Sequence, residues 1–136
     1  MKKVLFPQNT LAFVLWIIAF HSFCVGVGMI FMPSHLMEFF GFSSGSDCFF
    51  RYQGGVFHIV MSTAYAGGAV NIARNKSLIL LTITAKFLAT VFLFSYYFFA
   101  AKVWMVLLSG IGDMVMGLAV LLFFIRYNRQ AKAAIN

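Results

Sequence analysis

Residues 103–125 read VWMVLLSGIGDMVMGLAVLLFFI, and the only charge in the stretch is Asp113, at its middle. At about 1.5 Å per residue a helix of this length crosses a hydrocarbon core of about 30 Å. Backbone groups inside a bilayer have no water to bond, so a run of this kind must close its hydrogen bonds within a helix. The alternating ten-residue pattern of a transmembrane barrel strand is absent.

Three more stretches of the same kind precede it, at 11–32, 49–72 and 78–101. Of the 136 residues, 62% are hydrophobic, 18% aromatic and only 10% charged, a composition that a soluble domain of this size does not have. The sequence therefore predicts one all-α, integral-membrane domain over 1–136, a four-helix bundle. The lysines of the MKK start are separated from the first run by Pro7, Gln8 and Asn9. That run is too long for a signal core and no small-x-small site follows it, so it is expected to stay as a span.

Orientation follows from the basic residues in short connections. Lys2 and Lys3 precede the first run, Arg74 and Lys76 separate the second from the third, and Arg126, Arg129 and Lys132 follow the fourth. Segment 33–48 carries Glu38 and Asp47 and no lysine or arginine, and the other connection on that side holds only Lys102. Both termini are expected to be cytoplasmic, in a bacterial inner membrane. The net charge of +7 is then an orientation signal and a contact for anionic lipid, with no soluble basic surface on which nucleic acid would sit.

The longest connection, PSHLMEFFGFSSGSD, holds a helix start at Pro33 and Ser34, apolar Leu36, Met37, Phe39 and Phe40, and a stop at Gly41. It predicts a short interfacial helix, with Asp47 capping the next span. Cys24 sits about 12 Å below Met32 and Cys48 lies at the rim. Their separation predicts two free thiols.

Ionisable residues at membrane depth mark candidate functional positions. His21 is about 15 Å into its run, His58 about 14 Å and Asp113 about 15 Å, which places all three near one plane. Lys86 is about 12 Å from the inner side, and its flexible stem brings an Asp113 pair within reach. Helical spacing groups His21 with Cys24 and Gly28, and Arg51 with Gly55, His58, Ser62 and Tyr65. It groups Lys86 with Thr82, Thr90 and Tyr97, and Asp113 with Ser109 and Gly117. Small neighbours let helices approach closely, so these stripes predict seams or the lining of a narrow interior.

Several readings of that interior stay open. It is a buried polar cluster that specifies packing; or a site for a lipid-like or quinone-like ligand, with Arg51, Gln53, Tyr52 and His58 on a polar head; or a route for protons through His58, Asp113 and Lys86, which would make the chain a proton-coupled transporter. A b-type haem between His21 and His58, or a metal on both with Asp113, would make a redox or metal-dependent enzyme subunit. No HxxxH, ExxH, CxxCH or GxSxG motif supports catalysis. The sequence identifies no cofactor and no catalytic residue. Homo-oligomers are open to the glycine pairs at 54–55 and 67–68.

The stretch GVGMIFMPSHLMEFFGF, then Asp47, Arg51, Gly54 and Gly55, then GIGDMVMG in the fourth run, resembles the DoxX-like group of small bacterial four-helix membrane proteins. The resemblance covers most of the chain. It implies a proline after the first helix, a short glycine-ended helix, and an arginine with paired glycines opening the second. Most members have no assigned activity, and some relatives are linked to quinone-coupled thiosulfate oxidation, which implies a quinone-facing or membrane-complex role. The group pattern does not include His21, His58 or Asp113.

Overall fold

The computed structural model describes residues 5–42 and 48–133. Five helices account for nearly all of them: α1 (Leu5–Phe31), α2 (Ser34–Phe39), α3 (Cys48–Val70), α4 (Lys76–Phe99) and α5 (Trp104–Ala133). The positions expected for Lys2, Lys3 and the Asp47 cap fall outside the described residues. Helix α1 begins ahead of its apolar run and takes Pro7 into its first turn, where a missing N–H costs nothing. Helix α5 continues eight residues beyond the expected 125, because Arg126, Arg129, Gln130 and Lys132 are good helix formers once outside an apolar layer.

Helix α2 forms as expected after Pro33, and Gly41 ends it at φ +90, a backbone region that residues with a Cβ rarely enter. Trp104 Nε1 donates to the Phe39 carbonyl at 3.4 Å, and its ring meets Phe39 and Phe40 at 6.4 and 5.9 Å between centroids. The short helix is thereby clasped to the start of α5. Cys24 and Cys48 are free thiols.

The four long helices form a ring in chain order: α1 packs on α3, α3 on α4, α4 on α5 and α5 on α1. Neighbours run antiparallel. Gly26 faces Gly55, Gly68 faces Leu15 and Ile79, and Gly117 faces Lys86. Two pairs are tight, α1 with α3 and α4 with α5, and the seams joining them are thinner.

The tight pairs close on glycine. A Cβ on Gly26 would stand 2.6 Å from the Gly55 carbonyl oxygen, and one on Gly110 would stand 2.7 Å from the Phe94 ring. This is the close helix approach that small residues permit in a bilayer.

Among the described residues three helical stretches are long and apolar enough to cross a membrane, Asn9–Phe31, Lys76–Phe99 and Trp104–Ala133. They mark the chain as an integral membrane protein. Helix α3 is long enough at 23 residues, but Arg51, Gln53 and His58 lower the apolarity of its first three turns.

The buried apolar core lies almost wholly toward the end that carries both termini. It comprises Leu11, Leu15, Ile18, Ala19, Tyr65, Ala69, Ile72, Ile79, Ile83, Val120, Phe124 and Tyr127. Toward the α2 end the pairs are closed mainly by glycine, and the buried residues there are Gly26, Gly55, Thr90, Val106 and Gly110.

Candidate functional site

Between the sealed half and the glycine-closed half lies the expected ion pair. Lys86 Nζ donates to Asp113 Oδ1 at 2.6 Å, and the two side chains are 4% and 11% exposed. The local sequence of α5 makes room for it. Gly117, one turn beyond Asp113, lets the Lys86 stem lie against the helix, with 3.2 Å between its Cβ and the position a Gly117 Cβ would take. Gly110, one turn before, admits Phe94 in the same way.

Buried charges persist only when paired and hydrogen-bonded, and here a third group helps: Lys86 Nζ lies 5.6 Å from the centroid of the Tyr65 ring. The pair therefore joins α4 to α5 by charge and to α3 through a ring face. Among the described residues only Lys86 hydrogen-bonds the Asp113 carboxylate, through one of its two oxygens.

Hydroxyls beside the pair turn inward to their own helices. Thr90 Oγ1 donates to the Lys86 carbonyl, Thr82 to Leu78 and Ser62 to Ile59, at 2.7–2.8 Å. Each buried hydroxyl is thus satisfied without drawing on the ion pair.

On the first helix the expected face is displaced. His21 and Cys24 are exposed; the buried stripe is Leu11, Leu15, Ile18, Ser22 and Gly26. Ser22 Oγ donates to the His58 carbonyl at 3.0 Å and lies 3.3 Å from His58 Nδ1. One residue along a helix is a turn of about 100°, so His21 stands on the flank next to Ser22 and away from α3. No hydrogen bond joins either histidine to Asp113 among the described residues.

Arg51 sits nearer the α2 end, half-buried. Its Nη1 donates to the carbonyl of Met32 at 3.3 Å, at the C-terminal end of α1, and its Nη2 reaches Tyr52 Oη at 3.4 Å. Its Nε is buried without an acceptor among the described residues. A helix C-terminus carries partial negative charge, so Arg51 fastens α3 to α1 where the chain turns. Gln53 is exposed and takes no part in this cluster.

The structure therefore brings together Lys86, Asp113 and Tyr65, with His58 on Ser22 beside them. It sets His21 at the edge, Arg51 at the α2 end and Gln53 outside. No group of three His, Cys, Asp or Glu side chains is placed to hold a metal ion among the described residues. Ser22 and Tyr65 were the residues missed as site members; the Ser22-x-x-x-Gly26 spacing is the small-residue signal that marks this face of α1. Comparisons with protein-family models, with curated proteins and with solved structures found no match to this chain.

Proposed function

We propose that the chain is a four-span membrane bundle, both termini cytoplasmic, that binds a lipid-like or quinone-like ligand around the Lys86–Asp113 pair, alone or as part of a membrane complex. The observation that carries this reading is the pair itself. A structural ion pair is expected to be sealed on every side, whereas this one sits where a continuous apolar core stops. Ionisable groups at that depth are costly and characteristically line a cavity or a path.

A fourth span is supported by the surface of α3. Its polar residues Ser62 and Tyr65 are buried, while Phe49, Phe50, Val56, Phe57 and Val60 are 55–70% exposed. Exposed apolar area of that extent belongs in lipid. Topology is supported by Arg74, Lys76, Arg126, Arg129 and Lys132, all at the termini end of the ring. The DoxX-like motifs agree with this layout and with a bacterial inner membrane. The small-residue faces also leave homo-oligomers open as a form of the complex.

The test is native mass spectrometry of the detergent-purified protein, with an absorption spectrum and metal analysis of the same sample. A retained lipid-like molecule, absent from the Lys86→Met/Asp113→Leu double variant, is the expected result. A haem band or stoichiometric metal would overturn it in favour of the enzyme-subunit alternative, and retention by the double variant would move the ligand elsewhere.

A further inference from the structure

A cation at the α2 end is left unsatisfied by the protein around it. A guanidinium carries five N–H donors in a planar fork. Arg51 spends two of them, on the Met32 carbonyl at 3.3 Å and on Tyr52 Oη at 3.4 Å, both long for an N–H···O bond. The other three, on Nε and one on each Nη, find no acceptor among the described residues, and Nε is buried as well. Lys86 has its carboxylate at 2.6 Å, whereas no carboxylate of the described residues stands within ion-pair distance of Arg51. A half-buried charge held by two long bonds to neutral oxygens calls for a counter-anion.

Tyr52 adds a second kind of donor. Arginine has no acceptor atom, so in their contact the Tyr52 oxygen accepts and its own O–H stays free to give. The Tyr52 side chain is 44% exposed, and its ring also lies 5.1 Å from Arg51 Cζ. An N–H and an O–H donor thus stand 3.4 Å apart at one edge of the guanidinium. The surface around them is apolar: Phe50, beside Arg51 in the chain, is 70% exposed, and Phe31, beside Met32, is 76% exposed. An anion that reaches this place from the membrane side therefore brings an acyl chain to cover those rings.

We infer that Arg51 and Tyr52 form a site for the phosphodiester of an anionic phospholipid, in the leaflet on the α2 side. The inference rests on the four-span layout proposed above and is independent of a ligand at the Lys86–Asp113 pair. With α3 as a span, Arg51 lies three residues, or about 4.5 Å, along the helix from Cys48, at the level where headgroups meet hydrocarbon. The two non-ester oxygens of a phosphodiester accept from both donors at once, as an arginine fork favours. A net negative head is preferred to a zwitterionic one, because the latter brings its own ammonium to compete for the same oxygens.

Arg74, Lys76, Arg126, Arg129 and Lys132 draw anionic lipid to the opposite leaflet, so the test counts lipids one by one. The delipidated full chain is exposed in mixed micelles to equal amounts of phosphatidylglycerol and phosphatidylcholine, and bound lipids are resolved by native mass spectrometry. The unsubstituted protein should keep one phosphatidylglycerol more than Arg51→Gln. That lipid should be preferred about tenfold over phosphatidylcholine, the ratio expected from one charge-assisted hydrogen bond. Tyr52→Phe, on an exposed side chain, should hold it more weakly, and Arg51→Lys, which keeps the charge and loses the fork, should fall between the unsubstituted protein and Arg51→Gln. The Lys86→Met/Asp113→Leu double variant should keep it, which separates this site from an interior one.

A full complement of phosphatidylglycerol on both Arg51→Gln and Tyr52→Phe would overturn the site and leave Arg51 as a fastener between α3 and α1. Equal retention of the two lipids would overturn the demand for a net negative head. Displacement of the lipid by inorganic phosphate would overturn the need for an acyl chain, and displacement by oleate would overturn the choice of a phosphodiester. Loss of the lipid from the double variant would overturn its placement at Arg51.

Discussion

The half of the bundle that carries the termini and the half that carries α2 are built from the same four helices on different principles. In the first, branched and aromatic side chains from all four helices meet in one buried cluster. In the second, the helices meet two by two on glycine, at Gly26 with Gly55 and at Gly110 with Phe94. Side-chain packing in the first half holds the four helices in register, and the close glycine contacts of the second keep each pair together. The ion pair sits at the junction of the two halves, with both of its side chains buried.

The largest effect is expected at that junction. Lys86→Met or Asp113→Leu alone strands a buried charge and should cost about 3–5 kcal/mol, while the double variant should recover most of it. Unfolding in mixed detergent micelles would measure all three. A double variant no better than the singles would mean that the pair does more than neutralise itself, and that the junction depends on its charges.

Next in size comes a comparison of two leucines. Leu15→Ala removes a fully buried side chain beside Gly68 and should cost about 2–5 kcal/mol. Leu108→Ala, on a residue 54% exposed at the α2 end, should change stability by about 0.5 kcal/mol or less. Similar losses at both positions would erase the distinction between a packed half and a paired half.

Much of this division follows from properties visible in the chain, and the part that does not has a geometric cause. Run length and charge placement specify the long helices, and Pro33 and Gly41 specify α2. Counting residues from a span end gives depth, which is why Lys86 and Asp113 could be matched across two helices before their contact was known. Depth says nothing about azimuth. On α4 and α5 the polar and small residues repeat every third or fourth position, as Thr82, Lys86 and Thr90 do, so the inward face is legible. On α1 the only polar residues in the middle are His21, Ser22 and Cys24, which span more than half a turn, and the rest is apolar all round. The smallest of them, Ser22, takes the inward position because α1 and α3 approach too closely there for an imidazole. Nothing in a linear pattern reveals where two helices approach closely, so the face of α1 that meets α3 was not legible.

The smallest effect is also the sharpest test of close helix approach, because it compares one substitution in two places. Gly26→Ala puts a methyl group 2.6 Å from the Gly55 carbonyl oxygen and 2.8 Å from the Ile59 side chain. Backbone cannot step aside cheaply in a close-packed pair, and overpacking of this kind costs about 1–3 kcal/mol. Gly112→Ala adds the same methyl group on a flank where nothing lies within 4 Å, so no clash opposes it. Its effect should fall within about 0.5 kcal/mol of the unsubstituted protein, with any gain coming from alanine's better helix propensity. Both variants carry the same change in composition and sit in long helices. A difference between them therefore reports helix separation alone. If Gly112→Ala proved as costly as Gly26→Ala in a bilayer, the Gly112 face of α5 would have to be packed rather than open.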